Sequence, residues 1–144
     1  MKYKRTEELF ELLNKNNISY DKYLAENEDS FVCNDLTEYW AEVIGKSGMS
    51  KVDIINKADI AYTYFYSVIG GNNYPSRDTI IKIFIAMKLP LDDCQRALKL
   101  YNWAPLYPKV KRDSIVIYAL NHKLNLYNLE EMLEDHNEKG FKSR

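Results

Sequence analysis

Two runs of helical spacing meet across a short gap between Ser50 and Gly71, in SKVDIINKADIAYTYFYSVIGG. This stretch limits the fold more than any other. Ser50 with Asp53 three residues on forms a helix-start pattern, because a serine hydroxyl can accept from a free first-turn N–H. Ile54, Ile55 and Ala58 then share one face of a first helix. Lys57 to Ala61 carries a turn. Asp59 sits where the chain should go left-handed, a conformation that Asp tolerates better than most residues. A second helix is expected from Ala61 to Ile69, burying Phe65, Val68 and Ile69. Gly70-Gly71 ends it, since glycine enters the left-handed region without a Cβ clash.

The remaining segments read as helices as well. Thr6 to Asn16 is amphipathic, with Leu9, Phe10, Leu12 and Leu13 on its apolar side. Ser19 can cap a short helix carrying Tyr20, Tyr23 and Leu24, and Glu26 to Ser30 reads as loop. Asn34 or Asp35 caps a stronger helix with Leu36, Tyr39, Trp40, Val43 and Ile44 inward, closed by Gly45 to Gly48. After the loop to Pro75, Ser76 caps a helix to Met87, and Pro90 starts another with Leu91, Cys94, Ala97, Leu98 and Tyr101 on one face. Trp103 to Pro108 is a rigid break. Arg112 to Asn121 and a segment capped by Asn125, with Leu126, Leu129, Met132 and Leu133 inward, complete an all-α chain. No strand pattern and no repeat array is apparent.

The order of Ser50, the turn at Ala58 to Ile60, Gly70-Gly71, and Pro75-Ser76 leading into Thr79 to Met87 resembles the helix-turn-helix of the lambda-repressor/Cro class, the XRE family. The resemblance covers Leu36 to Tyr101. It implies a lambda-repressor-like five-helix core over 34–104, with helical extensions over 1–33 and 105–144. It also implies a transcription regulator that inserts its second motif helix into the major groove of double-stranded DNA. Carried over by position, Tyr62, Thr63, Tyr64 and Ser67 would face bases. Thr63 and Ser67 could bond or meet a thymine methyl. Lys51, Asn72, Asn73, Tyr74, Arg77, Lys109, Lys111 and Arg112 would face phosphates. A homodimer is the family's usual arrangement, and the first helix or the C-terminal helices would supply the surface.

One departure opens a second reading. No Arg, Lys, Asn or Gln lies between Ala61 and Ile69, so the side chains that make bidentate base contacts are missing. Tyr62, Tyr64, Phe65 and Tyr66 make this helix aromatic instead. Tyrosine suits protein interfaces, so the fold could serve as a protein–protein interaction module.

Charge is uneven. The net charge of −1 divides into −4 over 1–48, 0 over 49–76, +5 over 77–112, 0 over 113–123 and −2 over 124–144. A basic middle between acidic ends fits a local phosphate-facing patch. No run approaches about 18 apolar residues, and MKYKRTEELFELL lacks the apolar core of a signal peptide. A cytoplasmic protein without membrane spans is expected, with Cys33 and Cys94 as reduced thiols. His122 and His136 have no ligand spacing, and no nucleophile-elbow or phosphate-loop motif occurs. The Asp92-Asp93 and Glu130-Glu131 pairs sit near helix starts, where the helix dipole favours carboxylates. No enzyme, metal or cofactor is expected.

Overall fold

The computed structural model describes residues 6–15, 19–26 and 35–141. Among them the chain is all-helical, with nine helices and no strand. None is long and apolar enough to cross a membrane. The chain divides into two compact units, Met1–Asn34 and Asp35–Arg144. The first holds α1 (Thr6–Asn14) and α2 (Tyr20–Glu26). Phe10 and Leu13 of α1 and Tyr20 and Leu24 of α2 are exposed. The second unit holds α3 (Leu36–Ser47), α4 (Lys51–Ala58), α5 (Tyr62–Ile69), α6 (Arg77–Met87), α7 (Leu91–Leu100), α8 (Lys111–Asn121) and α9 (Leu126–Asp135).

Local chemistry sets these bounds. Asp35, not Asn34, caps α3 and accepts from the N–H groups of Thr37 and Glu38. Gly45 lies within α3, and the left-handed stop falls at Gly48 with φ of 69°. Ser50 caps α4 by accepting from Asp53 N at 3.1 Å, and Asp59 takes the left-handed turn at φ 54°, ψ 54°. Gly71, with φ of 78°, rather than Gly70 makes the left-handed step after α5. Ser76 and Asn125 cap α6 and α9 through their side chains.

Helix α6 is the centre of the second unit. Thr79, Ile80, Ile81, Ile83, Phe84, Ile85, Ala86 and Met87 are all buried, and only Arg77, Asp78 and Lys82 of this helix reach partly into solvent. A helix so largely apolar must be surrounded, and α4, α7, α8 and α9 pack against it. Trp40 of α3 is fully buried; its indole N–H donates to the Tyr101 hydroxyl at 2.7 Å. Ile115, Val116, Leu120, Leu129 and Leu133 join the same core. Residues after 105 are therefore part of one hydrophobic core with the helices before them.

Polar side chains lock the ends. Asp93 is buried and accepts from Lys46 Nζ at 2.8 Å, tying α7 to α3. At the start of α6, Arg77 donates from both terminal nitrogens to the Asp113 carboxylate, at 3.1 and 2.9 Å. Beside it, Arg112 of α8 donates from both terminal nitrogens to Asp78, at 3.0 and 3.2 Å. The Asp113 side chain is 8% exposed and that of Asp78 is 36% exposed. Removing Arg77 leaves the more deeply buried carboxylate with the Tyr107 N–H, at 3.1 Å, but without a countercharge, so Arg77→Ala should cost about 3 kcal/mol. Arg112→Ala should cost less. Urea unfolding of both variants checks the order; an equal or reversed effect contradicts it.

Candidate nucleic-acid interface

The α4–α5 pair is built as the spacing predicts. Phe65, Val68 and Ile69 of α5 are buried, and α5 packs on α3. Its solvent edge carries Tyr62, Thr63, Tyr66 and Ser67. Tyr62 and Thr63 are exposed; Tyr66 and Ser67 are half-buried. The rings of Tyr62 and Tyr66 meet with centroids 4.6 Å apart, and Lys51 Nζ stands 5.7 Å above the Tyr66 ring. A hydrogen bond with Tyr66 holds the Tyr62 phenol above its ordinary value, against the opposing charge of Lys51. Ala61 offers no side-chain cap, so the first N–H groups of α5 depend on water or a bound acceptor.

Two of the four expected base-facing residues are presented and two are turned to other work. Tyr64 is half-buried and donates to Thr79 Oγ1 at 3.4 Å. Ser67 donates to the Tyr64 carbonyl at 2.7 Å and accepts from Asn73 Nδ2 at 3.2 Å. Its hydroxyl proton is already spent inside the helix.

The expected phosphate-facing set splits further. Lys51 and Lys109 are exposed and make no ion pair among the described residues. Asn72 and Asn73 are exposed in the loop after α5. Tyr74 donates its hydroxyl to the Tyr101 carbonyl and packs edge-on against Tyr101 and Trp103. It holds the loop rather than offering a free hydroxyl. Arg77 and Arg112 are expected to face phosphates; in the fold both guanidiniums are engaged by the aspartates and by carbonyls. Lys111 donates to the His136 carbonyl at 2.8 Å and lies 3.8 Å from Glu138. The positive balance over 77–112 therefore serves internal pairing in large part.

Two residues outside the expected DNA-facing set shape this face. Tyr66, expected only as part of the aromatic surface, follows Tyr62 by one helical turn and packs its ring against it. Trp103 donates its indole N–H to the Pro75 carbonyl at 3.0 Å, fixing the loop from 28 residues away. No local pattern announces such a contact.

Cys94 is fully buried, and burial pushes its thiol up to about 12. Burial likewise raises the Tyr39 phenol. No group of three or more His, Cys, Asp or Glu among the described residues is placed to hold a metal ion. Cys33 lies outside the described residues. No protein-family model, curated protein or solved structure matches this chain.

The thiolate is the reactive form of cysteine. In a Cys33→Ser chain at pH 8, Cys94 should therefore resist an aromatic disulfide reagent while folded and react fully in urea. Native-state reaction at the rate of a free thiol would contradict its burial.

Proposed function

We propose that this chain is a cytoplasmic DNA-binding transcription regulator of the lambda-repressor-like helix-turn-helix type. It inserts the start of α5 into the major groove. The observation that carries the reading is the α4–turn–α5 unit itself. Ser50 caps its first helix, Asp59 makes its left-handed turn, and Tyr62 and Thr63 stand exposed at the start of its second helix, with Lys51 over the Tyr66 ring. In such proteins the first residues of the second helix meet base edges. Thr63 supplies a methyl and a hydroxyl, and Tyr62 a ring edge. Asn72 and the N–H groups at the start of α5 suit phosphate oxygens.

The distribution of cations gives this reading a signature. Lys51 and Lys109 are the expected phosphate-facing cations that make no ion pair among the described residues, Lys51 resting over the Tyr66 ring. Two released counterions give a slope of log K against log salt of about −1.8. Fluorescence anisotropy on duplexes selected from a random pool measures it. Lys51→Ala should flatten the slope by about 0.9. Thr63→Ala should lower affinity for selected duplexes with the slope unchanged. No binding to any duplex at low salt would sink the DNA reading.

The aromatic pair favours a second reading. Tyr62, 59% exposed, lies against Tyr66 beneath a lysine. This is the composition of a protein-docking surface. Under it, Tyr62→Ala abolishes capture of a protein partner by a chain that ignores DNA.

A further inference from the structure

The two arginine–aspartate pairs are more than neighbours. Arg77-Asp78 begins α6 and Arg112-Asp113 lies in the first turn of α8, at an offset of 35 residues. The same offset runs through the polar geometry. Arg77 Nε donates to the Ala104 carbonyl at 2.9 Å, and Arg112 Nε to the Lys139 carbonyl at 2.8 Å. Each second nitrogen reaches the next carbonyl, Pro105 or Gly140. Leu106 N donates to Gln95 Oε1 at 2.7 Å; Phe141 N donates to Glu130 Oε1 at 2.7 Å. Trp103 N donates to the Leu98 carbonyl and Glu138 N to that of Leu133, both at 2.8 Å.

The backbone agrees. Five non-glycine residues among those described take a positive φ, and four fall into equivalent pairs. Lys88 and Lys123 both have φ of 56°; Asn102 and Asn137 have 60° and 59°. Such conformations are uncommon enough that matched placement is informative. Of the thirty residue pairs that align 77–106 with 112–141, eight are identical, Ile80 with Ile115 and Leu98 with Leu133 among them. That is too few to stand out in the sequence, and two copies do not make a repeat array; the likeness lies in the geometry.

The contacts between the halves are reciprocal. Arg77 meets Asp113 as Arg112 meets Asp78. Lys88 Nζ donates to the Lys123 carbonyl at 2.7 Å, and Lys123 Nζ returns to the Lys88 carbonyl at 2.8 Å. α6 packs on α9 as α8 packs on α7. Residue i touching j while j touches i is the rule of a two-fold interface between identical subunits.

We propose that 77–106 and 112–141 are two copies of one helix-pair module, and that their union in a single chain takes the place of a homodimer. The C-terminal surface that a second copy would use is filled from within. Only the first module is preceded by the α4–α5 unit, so each two-fold frame presents one α5. The chain accordingly meets DNA as a single copy on an asymmetric site; this last step rests on the DNA reading above.

Lys88 and Lys123 supply the test. An equal mixture of ¹⁴N- and ¹⁵N-labelled full-length chain is unfolded, refolded together, treated with a short amine-reactive cross-linker and digested for mass spectrometry. The expected Lys88–Lys123 cross-link is ¹⁴N–¹⁴N or ¹⁵N–¹⁵N alone. Mixed-isotope peptides would place the interface between chains and overturn the proposal, as would absence of the cross-link. On a duplex selected from a random pool, sedimentation should then find one chain on a non-palindromic site. Two chains on a palindrome would overturn the single-copy step while leaving DNA binding intact. Absence of any duplex binding would sink the DNA reading and the single-copy step with it, and the isotope result would decide the module pairing by itself.

Discussion

Beyond its first turn, helix α6 gives almost nothing to water. With its residues from Thr79 to Met87 buried except Lys82, four other helices must close around it. That requirement sets the rest of the unit. α4 lies on one side and brings the turn at Asp59 with it, and α5 follows across the turn onto α3. The candidate interface is therefore held by a rigid core rather than by its own short helices, each of eight residues. Helices of that length are marginal alone and depend on tertiary packing.

The ends of the buried helices need polar partners, because a buried polar group without one is costly. The fold meets this need with long-range pairs. Trp40 bonds Tyr101, Lys46 bonds Asp93, Trp103 bonds the Pro75 carbonyl, and the arginines bond aspartates and carbonyls together. None of the buried side-chain nitrogen or oxygen atoms among the described residues lacks a partner. Much of the positive charge of the basic stretch is thereby engaged within the fold.

What could be read in advance followed from local chemistry. Helical periodicity, the Ser50 and Ser76 caps and the left-handed Asp59 each depend on a few neighbouring residues, and each is found. The fate of Arg77, Arg112, Lys111, Tyr64 and Tyr74 was not legible, because their partners lie 15 to 36 residues away. Sequence reports that a charge exists; only the fold reports whether it is already spent. The doubling of the helix pair escaped for a related reason. What is preserved between the halves is a set of bonds to backbone carbonyls and a set of φ angles, and neither needs the same side chains throughout.

The lysine pair and the arginine–aspartate pairs sit at opposite ends of α6 and α8, so these two helices run side by side in the same direction. Their peptide dipoles are then aligned, an arrangement that repels rather than attracts. Asp78 and Asp113 lie at the two positive ends, and Lys88 and Lys123 at the two negative ends. Because each lysine reaches across, the charge of one serves the terminus of the other. Parallel packing of α6 and α8 is thus tolerated through a shared set of compensating charges, and neutralising one lysine is felt at the ends of both helices.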